Sequence, residues 1–204
     1  MTYNWWKYLL SAVLIGFGIS LLFTMTRYSV PEDKKIELYV YGYVADGPMQ
    51  QYLDTVHEEE FPEMEELSHL IITPDEQYGD MVLQVRLMSS EGDIYVLPKD
   101  QFFNISSNGF LKPLDEEPEI MELLEEKGIK AQTGWHSYEE GSEKHLFGIP
   151  LSQLPLAGNY VYAKDGYISV FVNNQNEENV MEFFTRFLTD MSEPLPEEET
   201  APAE

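Results

Sequence analysis

The chain has 204 residues, with 37 acidic side chains against 12 basic ones and a formal net charge of −25. At roughly 150 residues per domain this allows one globular domain with appendages, and a 43% hydrophobic fraction excludes a wholly disordered chain. The acidity, with no cluster of Lys and Arg, excludes a nucleic-acid partner, and the absence of cysteine excludes disulfides, thiolate nucleophiles and Cys-based metal sites.

The charge is unevenly spread. Residues 1–35 carry Lys7, Arg27, Lys34 and Lys35 against Glu32 and Asp33, a net of +2; the other 8 basic and 35 acidic side chains give residues 36–204 a net of −27. Within the head, Tyr8 to Met25 is a run of 18 residues without a charge. As a helix it would be about 27 Å long, close to the hydrocarbon thickness of a bilayer. Trp5, Trp6 and Tyr8 at one end and Tyr28 at the other suit the membrane interface. A buried core helix would show a polar stripe, and a cleaved signal peptide would show an A-x-A-like site, which Thr24 to Tyr28 does not supply. Residues 1–28 therefore read as an uncleaved single-pass membrane anchor. Lys7 before the run and Arg27, Lys34 and Lys35 after it leave positive-inside counting ambiguous. The short N-terminal flank and the acidic body place the C-terminal domain outside the cell membrane.

A polar linker, residues 29–35, leads into the body, residues 36–191. Residues 36–43 (IELYVYGY) predict a strand, and Asp46 or Gly47 can cap a helix over 48–60 with Met49, Tyr52, Leu53, Val56 and Phe61 on its inner side. Residues 67–73 predict a second strand. A helix is expected over 77–90, with Val82, Leu83, Val85, Leu87 and Met88 inward, and a third strand over 94–97. This β-α-β-α-β order predicts an α/β fold: a single three-layer domain with a mostly parallel sheet, preceded by one transmembrane helix. Beyond it come a helical turn at 101–103, an apolar link at 109–114 and a helix over 117–127. A strand follows over 145–151, then a hairpin of 160–163 and 167–172 about Lys164-Asp165-Gly166, and a last amphipathic helix over 176–191. Met81, Met88 and Met121 are expected in the core. The tail, residues 192–204, has three prolines and five acids without a basic group, a composition of disorder.

Several of these segments together resemble the extracytoplasmic solute-binding proteins of ABC importers, the sugar-binding group in particular. The carriers are IELYVYGY, MVLQVRLMSSEGDIYVLP, GFLKPLDE, HLFGIPL and NEENVMEFFTRFL, spanning about residues 36–190. The resemblance implies an α/β lobe, a sugar or other small solute as ligand and an ABC importer as partner. Family members are usually about twice this long, with two lobes closing on the ligand. Here the segment that would build a second lobe is missing, and a transmembrane run stands in place of a lipid-anchoring cysteine. The implied protein is a single lobe tethered to a membrane.

In an open parallel sheet, ligands lie beyond the carboxyl ends of the strands. That rule selects Tyr43 and Asp46 after the first strand and Lys99 and Asp100 after the third, and Trp135, read as a loop residue, could stack on a sugar ring. Read blandly, Tyr43 and Trp135 are surface-packing aromatics and Lys99 and Asp100 are solvated. His136 and His145 flank Glu139, Glu140 and Glu143, where a cation site is conceivable and a solvated acidic loop is the simpler reading. His57 and His69 have no partner visible in sequence. No G-x-S-x-G, H-E-x-x-H or phosphate-loop sequence occurs, so neither an enzyme nor a cofactor is expected. Two functions remain: solute capture for an ABC importer, or a protein–protein interaction module of the cell envelope.

Overall fold

The computed structural model describes residues 5–26, 30–75, 78–138, 141–163, 165–172 and 175–195. The chain divides into two compact units, Met1–Pro31 and Glu32–Glu204. The first unit holds one helix, α1 (Trp5–Thr26). Its window Trp5–Leu22 is long and apolar enough to be a membrane span or a signal sequence, and none of it is buried within the protein. Tyr28 and the tail beyond Leu195 lie outside the described residues.

The second unit is an α/β domain. Its first three strands are β1 (Lys35–Tyr41), β2 (Glu66–Ile72) and β3 (Ile94–Pro98). They are joined by α2 (Asp46–Glu60) and α3 (Gly79–Met88). All three strands run parallel, with Ile36 beside Leu67 and Leu38 beside Ile94. The chain continues through α4 (Lys99–Ser107), α5 (Pro118–Glu126) and a small antiparallel pair, β4 (Trp135–His136) and β5 (His145–Leu146). It ends with β6 (Ile149–Pro150), β7 (Gly166–Val170) and α6 (Glu177–Met191). The main sheet has the order β2-β1-β3-β7-β6, in which only β7 opposes the others.

Alternation along the strands divides the core in two. Ile36, Leu38, Val40, Ile94 and Val96 face one side, where α2, α5 and α6 bury Leu53, Leu124 and four residues of the Phe183–Leu188 stretch. Tyr39, Tyr95 and Leu97 face the other, against Leu83 and Leu87 of α3 and Phe102 and Ile105 of α4. The predicted three-layer architecture is present. Entry into β3 depends on Gly92, whose φ of +81° favours glycine and whose Cβ would strike the Tyr39 ring.

Several expectations need correction. The 101–103 turn is the middle of a nine-residue helix, because Phe102, Ile105 and Ser106 recur on one side and bury it. Trp135 lies in β4 and not in a loop. The expected 145–151 strand breaks at Phe147-Gly148, so that β5 pairs with β4 and β6 with β7. The expected hairpin does not form. β7 pairs with β3 on one side and β6 on the other, and Val161 makes an antiparallel bridge to Val44 instead; Lys164 lies outside the described residues. Asp46 does not cap α2: Ala45 holds that position, and the Asp46 carboxylate meets His69 Nε2 at 2.8 Å. Met81, Val82, Val85, Met88 and Met121 are exposed and not core.

Candidate functional site

Two parallel crossovers place β2 and β3 on opposite sides of β1, so the strand order reverses there and the carboxyl-end connections diverge. Part of that crevice is filled by the chain itself. Ala45 N–H donates to the Tyr160 carbonyl at 2.8 Å and Tyr162 N–H to the Tyr43 carbonyl at 2.9 Å, laying residues 160–162 across the end of β1. Nearby, the Tyr41 hydroxyl donates to Asp80 at 2.7 Å; burial first, then this hydrogen bond, pushes its pKa up to about 12, so it stays a donor.

The open part of the carboxyl edge lies further along, where β3 and β6 end beside the start of β7. Pro98 stands opposite Gly166, and both Leu97 and Pro150 stand opposite Tyr167. Here a cleft of about 330 Å³ is lined by Lys99, Thr133, Pro150, Ser152, Asp165 and Tyr167. That volume sits at the lower end of the roughly 300–1,000 Å³ of small-molecule sites. Tyr167 is held by stacking on Phe102, with centroids 4.2 Å apart and rings within 10° of parallel. Thr133 is brought in by the packing of Gly134 on Gly148. Phe147 N–H donates to the Gly134 carbonyl at 3.0 Å, and a Cβ on Gly134 would overlap the Gly148 carbonyl oxygen. Among the described residues the cleft offers one charge of each sign, two hydroxyls and an aromatic wall, a set suited to hydrogen-bonding a small polar solute. The first turn of α4 opens beside it and adds a partial positive charge near Lys99.

Of the residues selected from sequence, Lys99 lines this cleft. Asp100 is exposed in the first turn of α4, and Tyr43 is exposed beyond β1. Asp46 is engaged by the side chain of His69. Trp135 is half-buried against the core and lines a different groove, of about 600 Å³, with Met121, Leu124, Ile129 and Leu146. Thr133, Ser152, Asp165 and Tyr167 were not selected. The pairing of β7 with β3 places Asp165 and Tyr167, and the hairpin expectation hid it; Thr133 and Ser152 enter from short turns that no local pattern marks.

The histidines have local partners. His57 Nε2 lies 2.9 Å from the Met64 carbonyl, and His136 Nε2 lies 2.8 Å from Ser107 Oγ. His145 Nδ1 lies 3.0 Å from Asp115, which also accepts from Leu146 N–H and so fixes the start of β5. Glu139 and Glu140 lie outside the described residues, and among those described no group of three His, Asp or Glu stands where it could hold a metal ion.

No protein-family model matches the chain, and no curated protein matches it. Among solved structures it is similar to an extracellular solute-binding protein family 1 from Alicyclobacillus acidocaldarius subsp. acidocaldarius DSM 446. The TM-score is 0.38 and the identity 15%, over 57% of this chain and 27% of that one. The chain thus spans about a quarter of that protein's length.

Proposed function

We propose that this protein is a membrane-anchored, non-catalytic solute-binding lobe, standing outside the cell membrane, that captures a small polar solute for an ABC importer. The observation that carries this reading is the cleft at the carboxyl edge, where Lys99 and Asp165 supply opposite charges beside Thr133, Ser152 and Tyr167. Open α/β sheets take their ligands at that edge. The paired hydroxyls and the aromatic wall suit a sugar. Tyr43, Asp46 and Asp100 belong to the rim of the same edge in this reading, and Trp135 lies behind it, one residue past the Thr133–Gly134 corner. The apolar α1 helix is the anchor, and the segments that resemble solute-binding proteins, IELYVYGY to NEENVMEFFTRFL, run through the whole domain.

Calorimetry on the full chain in detergent, against a panel of sugars, oligosaccharides and small charged solutes, tests the proposal. Saturable binding is expected, weakened at least tenfold by Lys99→Ala and by Asp165→Asn. Trp135→Ala reads whether the groove behind the corner contributes. Flat titrations across the panel, by a chain with an intact circular dichroism spectrum, would sink solute capture. The second reading is an interaction module, and one observation favours it: α3 keeps an apolar side uncovered.

A further inference from the structure

Helix α3 has two apolar sides and buries one. Gly79, Leu83 and Leu87 pack inward. Tyr78, Met81, Val82, Val85 and Met88, spaced as neighbours along the other side, are exposed by 61, 59, 42, 55 and 77%. Large apolar side chains so far out of the core mark an interaction surface more often than a packing error.

We propose that this side of α3 is a self-association surface, on which two copies of the chain meet in one membrane through an isologous helix–helix contact. Charge selects the occupant. None of the five residues is charged, in a domain whose residues 36–204 carry a net of −27. Elsewhere the acidic surface repels a second copy: the groove of about 870 Å³ sets six glutamates, Glu60, Glu117, Glu119, Glu177, Glu178 and Glu182, against the single cation Arg186. The charges on α3 are already engaged: Asp80 accepts from Tyr41 and Gln101, and Arg86 pairs with Glu91. An anionic lipid surface would be drawn by clustered Lys and Arg, which this side lacks.

Area sets the strength. The patch is about 500 Å² per copy, so a pair buries roughly 1,000 Å², at the threshold of a specific interface. Such a contact is weak in free solution. Confinement of two copies to one membrane raises their effective concentration, so the proposal rests on the anchor reading for its strength. In α1, Ala12, Gly16 and Ser20 recur every four residues, the small-residue spacing that lets membrane helices approach closely.

The chain has no cysteine, so a single introduced thiol reports on one position alone. Full-length Val85→Cys, reconstituted at low density in phosphatidylcholine–phosphatidylglycerol vesicles and oxidised, is expected to form a disulfide-linked species of twice the monomer mass. The rate should exceed that of Glu119→Cys, exposed on α5, at least tenfold. Adding Met81→Glu and Met88→Glu to Val85→Cys should return it to the control rate. Equal rates for Val85→Cys and Glu119→Cys overturn the proposal. If a bimane on that thiol is then quenched from the lipid phase, lipid covers α3 instead. Should Val85→Cys fold poorly, sedimentation of the unmodified chain decides: a monomer at every protein-to-detergent ratio overturns self-association. A chain that fails to float with the vesicles fails the anchor reading instead, and its sedimentation without lipid still tests α3.

Discussion

In α6 the apolar residues Val180, Phe183, Phe184, Phe187, Leu188 and Met191 are all buried, whereas α3 buries Leu83 and Leu87 and turns Met81, Val82, Val85 and Met88 outward. The two helices end the same way in sequence terms, with apolar residues at helical spacing. They differ in what stands between those residues. In α6 the intervening positions are polar or charged except for the half-buried Met181, with Glu177, Glu178, Glu182, Thr185, Arg186 and Asp190 among them, so one orientation removes most apolar surface from water. In α3 apolar residues occupy most of the circumference, and hydrophobicity leaves the roll of the helix undecided. The polar tie of Asp80 to Tyr41 and Gln101 then fixes it. Apolar content thus predicts which side is buried only when a polar side excludes the alternative.

The sharpest way to break that comparison is to truncate α6. Phe184 is fully buried in the larger core, and Phe184→Ala is expected to cost about 4 kcal/mol, as lost burial plus the cavity left behind. Urea denaturation of the full chain in detergent, followed by circular dichroism, measures it. A loss below 1 kcal/mol would mean that α6 is not the rigid cover the packing implies.

A second variant acts on the sheet that both helical layers share. Asp93 is buried and accepts from the Glu37 N–H at 2.9 Å. Burial pushes its pKa up to about 7; the Glu37 N–H opposes the rise and the Glu37 carboxylate adds to it. The folded chain therefore holds a proton here that the unfolded chain has released above its ordinary pKa of 3.8. Stability from this group is full at low pH and falls as pH rises through 7. With a slope of at most about 1.4 kcal/mol per pH unit, the loss between pH 5 and 7 is about 2 kcal/mol. Asp93→Asn keeps an acceptor for the Glu37 N–H and should remove that loss. The measurement is the difference between wild-type and variant unfolding free energies at the two pH values. A difference that does not change with pH would contradict the burial of a protonated Asp93.

The same contrast explains how much was legible beforehand. The three parallel strands, their two crossover helices and α6 follow from local patterns: β-branched and aromatic runs closed by Gly or Pro, one apolar stripe in α2 and α6, and an apolar run of helical length in α3, whose buried side the pattern left open. The position of Lys99, directly after β3, followed from the strand before it. Asp165 and Tyr167 did not, because alternation along 167–172 is the same whether the strand closes a hairpin or inserts between β3 and β6. That choice is made by contacts some 70 residues apart in sequence, such as Leu97 beside Tyr167. Trp135 was misplaced for a related reason: β4 has only two residues, and its strand character comes from pairing with His145–Leu146.

The smallest expected effect closes the comparison from the other side. Met88 is the most exposed of the large apolar α3 residues, and it lies at the helix end, while Leu83 and Leu87 hold the helix down. Truncation there removes little buried area and leaves no cavity, and Ala is as good a helix former as Met. Met88→Ala in dilute detergent, where copies are apart, is expected to change the unfolding free energy by less than about 0.5 kcal/mol. Phe184→Ala, also an apolar truncation on a helix, should differ from it by several-fold in the same assay. If Met88→Ala destabilises the dispersed chain by more than 1 kcal/mol, the outer side of α3 is covered within a single copy, and the contrast between the two helices disappears. If it leaves the dispersed chain untouched and still weakens pairing in vesicles, the apolar surface of α3 serves association and not folding.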